Sequence, residues 1–441
     1  MSELFTNAHV VTMDDEGTEH ADGWILVEDG LVSAAGDGAP PPADRTTDLR
    51  GAVVTPGLVN THHHLYQALT RARVQQGDLF TWLTELYPVW ARLDVEAEYA
   101  AARAGLAELA LSGCTTVFDH HYVFPRGAGD LVGAEITAAE ELGVRIVASR
   151  GSMDLGESQG GLPPDRLVED VDAVLADTER LARAYEDRAD VQIAVAPCSP
   201  FSATRELMTE SAELARRLGL KLHTHLAETV EENEFCREQF GCTPVEYVAD
   251  LGWLAGDVWC AHCVHLSEVD VYRFAATGTG VAHCPSSNMR LGAGIAPVEA
   301  LLAGGVDVGL GVDGSASNER GDLFMEVKQA LLVARARGGS EAITARQALR
   351  LATRGGAAVL GRDDLGSLEA GKRADLAVWA TDGLELAGAD DPVGGLVLSG
   401  PHRVDRLYVG GEEVVRDGRL VRADEDELAR ELRTHAKRFE A

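Results

Sequence analysis

Eight short apolar runs recur through the middle of the chain, each followed by a polar, helix-prone stretch. They are Val53–His64, Cys114–His121, Arg145–Gly151, Val191–Pro200, Leu220–Glu228, Asp257–Leu266, Gly278–Asn288 and Asp307–Asn318. Between them lie segments rich in Ala, Leu, Glu and Arg, such as DVEAEYAAARAGLAELALSG and ATRELMTESAELARRLG. Short continuous apolar runs suit strands buried on both faces, as in parallel sheets. Eight strand–helix repeats in one domain predict an α/β fold, a closed (β/α)8 TIM-like barrel. An open doubly wound sheet is the competing arrangement. No G-x-G-x-x-G follows a first strand and no G-x-x-x-x-G-K-[ST] occurs, so a nucleotide-phosphate cradle has no support.

The two ends of the chain have a different texture. LFTNAHVVTM and GWILVEDGLVSAAG are apolar and β-branched, and the second holds the turn dipeptide Asp29-Gly30. ADLAVWA (374–380) reads as a strand, and VDRLYVGGEEVVRDG (404–418) as a hairpin around Gly410-Gly411. Both ends are expected to pair into one small β-sandwich domain beside the barrel. Residues 1–56 form its first part, 57–364 the barrel, and 365–441 its second part with a terminal helix. A length of 441 residues fits one large barrel plus an accessory domain, and 45% hydrophobic residues allow a core without staples.

The formal net charge is -32, from 71 acidic and 39 basic residues. Such a surface disfavours polyanionic partners, so neither nucleic acid nor anionic membrane is expected. No apolar run approaches the ~20 residues of a transmembrane helix. Met1-Ser2-Glu3-Leu4 lacks the basic region of a signal peptide, which points to a cytoplasmic protein. The seven Cys are scattered, and Cys260, Cys263 and Cys284 fall within apolar runs, as expected of buried reduced thiols. The acidity fits either a high-salt habitat or a GC-rich coding sequence.

Polar residues crowd the C-terminal ends of the runs, in NTHHHLYQ, HTHLAE, AHCVH and GVDGSASN. In a barrel that is the face on which active sites form. His62 and His64 are two apart on the first strand and share a face. His225 closes the fifth strand and Asp313 the eighth. Three imidazoles and one carboxylate suit Zn²⁺ with a position left for water, and Fe or Mn would fit the same donors. His63 faces the other way. His223 lies one layer deeper than His225, in a packing or supporting position. His120 and His121 either line the pocket or support it.

At these residues the chain resembles the amidohydrolase superfamily, in particular its aminohydrolase branch. The motifs that carry the resemblance are TPGLVNTHHH, HTHLAE, AHCVHL and LGVDGSASN, together with LGSLEAGKRADLAVW near the C-terminus. A closer likeness, to bacterial 8-oxoguanine deaminases, rests on HHHLYQALTRA, LFTWLTELYPVWARL, LSGCTTVFDHHYVFP, ASRGSMDLGESQGGLPPD, APCSPFS and GTGVAHCPSSNMRLGAGIAPV. The resemblance implies hydrolytic deamination of a purine-like heterocycle, with 8-oxoguanine giving urate and ammonia. Guanine, isocytosine, a pterin, S-adenosylhomocysteine or an s-triazine are the alternative substrates. A non-catalytic metal-binding barrel is the alternative of a different class. Barrels of this type that hold two metals often bridge them with a carbamylated Lys on the fourth strand. VQIAVAPCSPFS has no Lys or Glu, so one ion per chain is expected.

Deaminating an aromatic amidine-like carbon needs an activated water, a proton on the ring nitrogen and a protonated leaving amine. A zinc site of this kind lowers the pKa of water towards ~7. Asp313 is placed to take the water's proton. By resemblance Glu228, in H-L-A-E, protonates the ring nitrogen and then the amine, and His262 orients the attacking oxygen. Glu228 would otherwise be only the first acidic residue of the helix ETVEENEF, favoured by its dipole. Cys263, beside His262, faces the opposite side of its strand and is not expected to act. His283 is assigned to support. Gln67 stands where guanine deaminase has a Gln that touches the purine, and an amide both donates to and accepts from a lactam edge. Trp82 either stacks on a flat ring or anchors its loop. Arg150 binds a carbonyl or acidic ring nitrogen, or makes a structural ion pair. Tyr66 is a further lining candidate. The resemblance also implies a homo-oligomer.

Overall fold

The computed structural model describes residues 2–440. Eight parallel strands close into a barrel in chain order: β5 (Leu58–Asn60), β6 (Cys114–Asp119), β7 (Arg145–Ser152), β8 (Val191–Pro197), β9 (Lys221–Leu226), β10 (Val258–His262), β11 (Gly280–His283) and β12 (Val308–Leu310). Pairing of Leu310 with Asn60 shuts the ring. Each strand is the core of one apolar run, buried on both faces because side chains fill the interior and helices cover the outside. Phe118, Val147, Ala194, Trp259 and Ala282 pack in the interior. Trp259 meets its polar need by donating Nε1–H to the Thr61 carbonyl at 3.1 Å.

Both chain ends meet in one eight-stranded sheet. Before the barrel come β1 (Ser2–Val11), β2 (Glu19–Glu28), β3 (Leu31–Asp37) and β4 (Arg45–Pro56). After it come β13 (Leu376–Trp379), β14 (Arg406–Val409), β15 (Glu412–Arg416) and β16 (Arg419–Leu420). The order is β16-β15-β14-β13-β4-β1-β2-β3, and the two ends join where β4 runs antiparallel to β13. Val32 exchanges backbone hydrogen bonds with Lys372 and Gly371, which folds outer strand β3 back towards the entry to β13. Phe5, Val10, Ile25, Val54 and Leu376 fill the space so enclosed. Burying each such side chain is worth about 1.5–3 kcal/mol.

The first apolar run is two strands rather than one. It breaks at Pro56-Gly57, where the chain leaves the sheet and enters the barrel. A Cβ on Gly57 would lie 2.3 Å from Thr115 Cγ2, so only glycine permits this approach. Arg145 on β7 reaches across and donates to Asp375 at 2.6 Å, a buried pair that ties barrel to sheet.

Two helices follow β5: α1 (Leu79–Trp90), capped by Asp78, and α2 (Val95–Leu111), capped by Asp94. The C-terminal helix Glu425–Ala436 packs on α2. Among the described residues, no helix is long and apolar enough to cross a membrane.

Candidate active site

His62 and His64 follow β5, His225 lies on β9, His262 ends β10, and Asp313 comes three residues after β12. All five are buried at the C-terminal mouth of the barrel. The backbone there is held in a costly region. His262 and Asp313 have φ of 70° and 63°, and Ala227 beside Glu228 has 51°. Non-glycine residues adopt this left-handed conformation at a cost of order 1–3 kcal/mol, which clusters at functional sites.

The imidazole tautomers follow from the hydrogen bonds. His64 Nδ1 donates to the His120 carbonyl at 2.7 Å, and His225 Nδ1 donates to the Cys198 carbonyl at 2.6 Å. His223 Nδ1 donates to the Trp259 carbonyl at 3.0 Å, so its Nε2 accepts from His62 Nδ1 at 2.9 Å. All three Nε2 atoms therefore carry lone pairs, and they converge. His64 Nε2 and His225 Nε2 are 3.2 Å apart, and His62 Nε2 has no hydrogen-bond partner. Asp313 Oδ1 lies 3.4 Å from His62 Nε2 and 3.3 Å from His64 Nε2. Lone pairs facing one another in a dry interior repel unless a cation sits among them, and these donors suit a zinc-class ion. His120, expected to line the pocket or support it, also falls in this group, with its ring stacked on His225 at 4.7 Å.

The electrostatics agree with neutral imidazoles around an ionised carboxylate. Burial pulls His62 down to about 3, despite Asp313 beside it, and drives His225 well below its ordinary value. Burial pushes the Asp313 carboxyl up, but the adjacent His62 and His64 imidazoles outweigh it and hold the group well below the carboxylate range. Ser287 Oγ donates to Asp313 Oδ2 at 2.5 Å, and the Gly314 N–H donates to Oδ1 at 2.7 Å.

Glu228 has the opposite environment. Burial, reinforced by the charge of Asp313, raises its carboxyl well above the ordinary range. Its Oε2 is 3.6 Å from His262 Nε2, whose Nδ1 donates to Asn288 Oδ1 at 2.8 Å. The backbone N–H groups of Ala227 and Glu228 donate to Glu232 at 3.0 and 2.8 Å, which fixes the turn that aims Glu228 inward.

These groups open on a narrow cleft with a cavity volume of only about 20 Å³. His64, Gln67, Trp82, Tyr87, Tyr122, Cys198, Phe201, His225, Glu228, His262, Leu291, Asp313 and Ser317 line it. Gln67 is buried, and neither its Oε1 nor its Nε2 has a partner. Trp82 sits on α1 rather than in a loop, with Leu79, Leu83 and Tyr87 lining the same cleft. Its Nε1–H donates to the Ala316 carbonyl at 3.2 Å, so it anchors the helix and walls the cleft at once.

Two expected contacts lie elsewhere. Arg150 does not reach the cleft; it donates to Glu169 at 2.7 Å and Asp177 at 2.8 Å, and its guanidinium lies 3.7 Å from the Phe124 ring centre. The ion-pair alternative describes it. Tyr66 is buried behind the lining residues against Trp90, His121 and Tyr122. Cys263 is buried with its thiol pushed well up by burial, so it is no nucleophile. His223, Ser287 and Asn288 support site residues. His223 and the motif PSSN marked their neighbourhood in the sequence, and Tyr87, Tyr122, Cys198 and Phe201 fall in the segments that carry the closer resemblance but were not singled out as lining residues.

A profile described as the Amidohydrolase family matches residues 53–414. The chain is 50% identical to an 8-oxoguanine deaminase of Pseudomonas aeruginosa over 406 residues, 90% of each protein. It is 39% identical to an isoxanthopterin deaminase from an unknown prokaryotic organism, over 93% of this chain and 90% of that one. Among solved structures, atrazine chlorohydrolase from Arthrobacter aurescens, complexed with zinc, superposes with a TM-score of 0.94 at 35% identity, covering 98% of this chain and 100% of that one. The barrel, the sheet built from both ends and the extent of these matches lead to one conclusion: the chain belongs to the amidohydrolase family.

Proposed function

We propose that this chain is a zinc-dependent hydrolytic deaminase of a small purine-like heterocycle, with 8-oxoguanine as substrate and urate and ammonia as products. The observation that carries it is the pairing, in one narrow cleft, of a buried carboxyl whose pKa is raised by burial with an unpartnered amide. Glu228 faces the convergent imidazoles, and Gln67 offers one donor and one acceptor to a lactam edge. The half-identical relative acts on 8-oxoguanine by its name, which selects this substrate from the class.

His62, His64, His225 and Asp313 would hold the ion. When bound, such an ion lowers the pKa of water and polarises the reacting carbon's substituents. The chain's own residues do the rest. Asp313, ionised and held by Ser287 and Gly314, accepts a proton from the attacking water. His262, oriented by Asn288, donates or accepts a hydrogen bond at that oxygen. Glu228 gives its proton to the ring nitrogen as the water oxygen bonds to the amidine carbon. Glu228, now ionised, takes over the proton that Asp313 received and passes it to the amine, which leaves as ammonia when the C–N bond breaks, and the proton of the added hydroxyl returns to Glu228 as the lactam carbonyl forms. Trp82 and Tyr87 bound a flat ring, and the cleft has little room for a ribose. The same reading has the enzyme in the cytoplasm as a homo-oligomer, which sedimentation of the purified chain tests for assembly.

The test is ammonia release from 8-oxoguanine, guanine, isocytosine, isoxanthopterin, S-adenosylhomocysteine and a hydroxy-s-triazine. Preference for 8-oxoguanine supports the proposal. Turnover of another member instead overturns the substrate, and no ammonia from any overturns deamination.

A further inference from the structure

A second group of ionisable side chains lies outside the cleft, behind the barrel wall. Glu98 comes from α2, Asp119 and His121 from the end of β6 and the loop after it, and Glu135 from helix Leu131–Leu142. All four are completely buried. His121 Nε2 donates to the Val123 carbonyl at 2.9 Å, so Nδ1 is the ring nitrogen turned to the carboxyl groups. That atom lies 2.6 Å from Glu135 Oε1 and 3.8 Å from Glu98 Oε2. Apart from the His121–Glu135 ion-pair contact and the contacts of the Glu135 carboxyl with those of Glu98 and Asp119, His121 Nδ1, both oxygens of Glu98, both of Glu135 and Asp119 Oδ2 have no hydrogen-bond partner. Among the described residues, no Lys or Arg pairs with any of these carboxylates.

Such an arrangement is costly as it stands. Buried polar atoms are nearly always satisfied, and buried charges are paired or bind metal. Burial lifts the Glu135 carboxyl to about 8 and, despite His121 nearby, raises Glu98 well above its ordinary range. One ligand atom each from Glu98, His121 and Glu135 lies within 4.8 Å of the others.

We propose that Glu98, His121 and Glu135 hold a second divalent cation, of the zinc or manganese class, distinct from the ion of the catalytic cleft. One imidazole nitrogen with carboxylate oxygens is a donor set such ions accept. Two carboxylates cancel the charge of a dication, so the loaded site is neutral in a dry interior. The 2.6 Å contact between His121 Nδ1 and Glu135 must open by about 0.7 Å to give the ligand spacing of a tetrahedral ion. The site braces the cleft. Asp119 Oδ1 accepts from the Leu65 N–H at 2.7 Å, and the carbonyl of His120, next to His121, accepts from His64 Nδ1 at 2.7 Å. A cation here therefore fixes the loop that sets the tautomer of His64.

The test is metal content, independent of turnover. The full chain is saturated with Zn²⁺ or Mn²⁺, freed of excess ion by gel filtration, and analysed by mass spectrometry. Crystals are measured at the metal edge. We expect about two ions per chain, and an anomalous peak among Glu98, His121 and Glu135. Glu98→Gln and Glu135→Gln should each drop the content to about one while the cleft peak stays. About one ion per chain with both metals, and anomalous signal only in the cleft, overturns the proposal and leaves the carboxyls sharing protons. Two ions in the wild type that persist in both variants overturn the assignment of ligands. If the variants do not fold, the wild-type stoichiometry and map decide.

Discussion

Glu228 is three residues from His225 and 3.6 Å from His262, in buried surroundings that raise its carboxyl well above the ordinary range. Its raised pKa fixes the sign of the pH effect. The acid form is present below the raised value and is lost as pH climbs through it, so kcat should fall on the alkaline side. Glu228→Gln keeps the shape but removes the proton donor. It should lower kcat by about 10²–10⁴-fold with metal content unchanged, the contribution typical of a general acid. Metal lost together with activity would make Glu228 a ligand rather than an acid. Gly314 gives a second prediction. A Cβ there would lie 2.0 Å from Gln67 Oε1, so Gly314→Ala must displace the amide. We expect a rise in KM for the substrate with zinc retained; an unchanged KM would remove Gln67 from recognition. His62, His64, His225 and Asp313, the residues expected at the cation site, lie together because strand alternation and loop position at a barrel mouth bring them to one face. Arg150 was not legible in the sequence, because its partners Glu169 and Asp177 lie 19 and 27 residues away along the chain. Tyr87, Tyr122 and Phe201 line the cleft only through tertiary packing, and an aromatic residue reads the same in any core.

The eight apolar runs each became a barrel strand, since a strand buried on both faces leaves an unbroken apolar trace. What the runs did not reveal was the division of the first one, which rests on a single close approach at Gly57. Nor was α1 legible. Pro88 lies inside it, and TELYPVW shows no clean helical stripe, although the Asp78 cap was visible in principle. The seam between β7 and β13 carries a prediction. Arg145 and Asp375 are each about 5% exposed in their side chains and bond at 2.6 Å, and Asp375 also accepts from the Gly410 N–H at 2.8 Å. Removing one partner strands the other in the interior. Arg145→Ala should destabilise the protein by about 3–5 kcal/mol in urea unfolding. Replacing both by apolar residues of similar volume should restore most of that loss. If Arg145→Ala costs under about 1 kcal/mol, water reaches the seam and the pair does not hold barrel to sheet.

Charge acts on the whole molecule rather than on any one element. With 71 acidic and 39 basic residues, most cations already sit in ion pairs and a large acidic excess is left to repel itself. Repulsion of this kind opposes the compact state, and salt relieves it, because the screening length falls from ~30 Å at 0.01 M to ~10 Å at 0.1 M. The melting temperature should therefore rise by a few degrees as KCl goes from about 0.01 to 0.2 M, measured by scanning calorimetry at neutral pH. The two sources of the acidity separate above that range. If screening is all that matters, the curve flattens once the screening length is shorter than the spacing of surface carboxylates. If the surface is adapted to high salt, hydrated cations bound among the carboxylates keep adding stability beyond 1 M. A melting temperature that is flat or falling from the start would mean that the carboxylates are spaced widely enough not to feel one another. The net charge would then bear on which partners approach and not on how firmly the barrel holds.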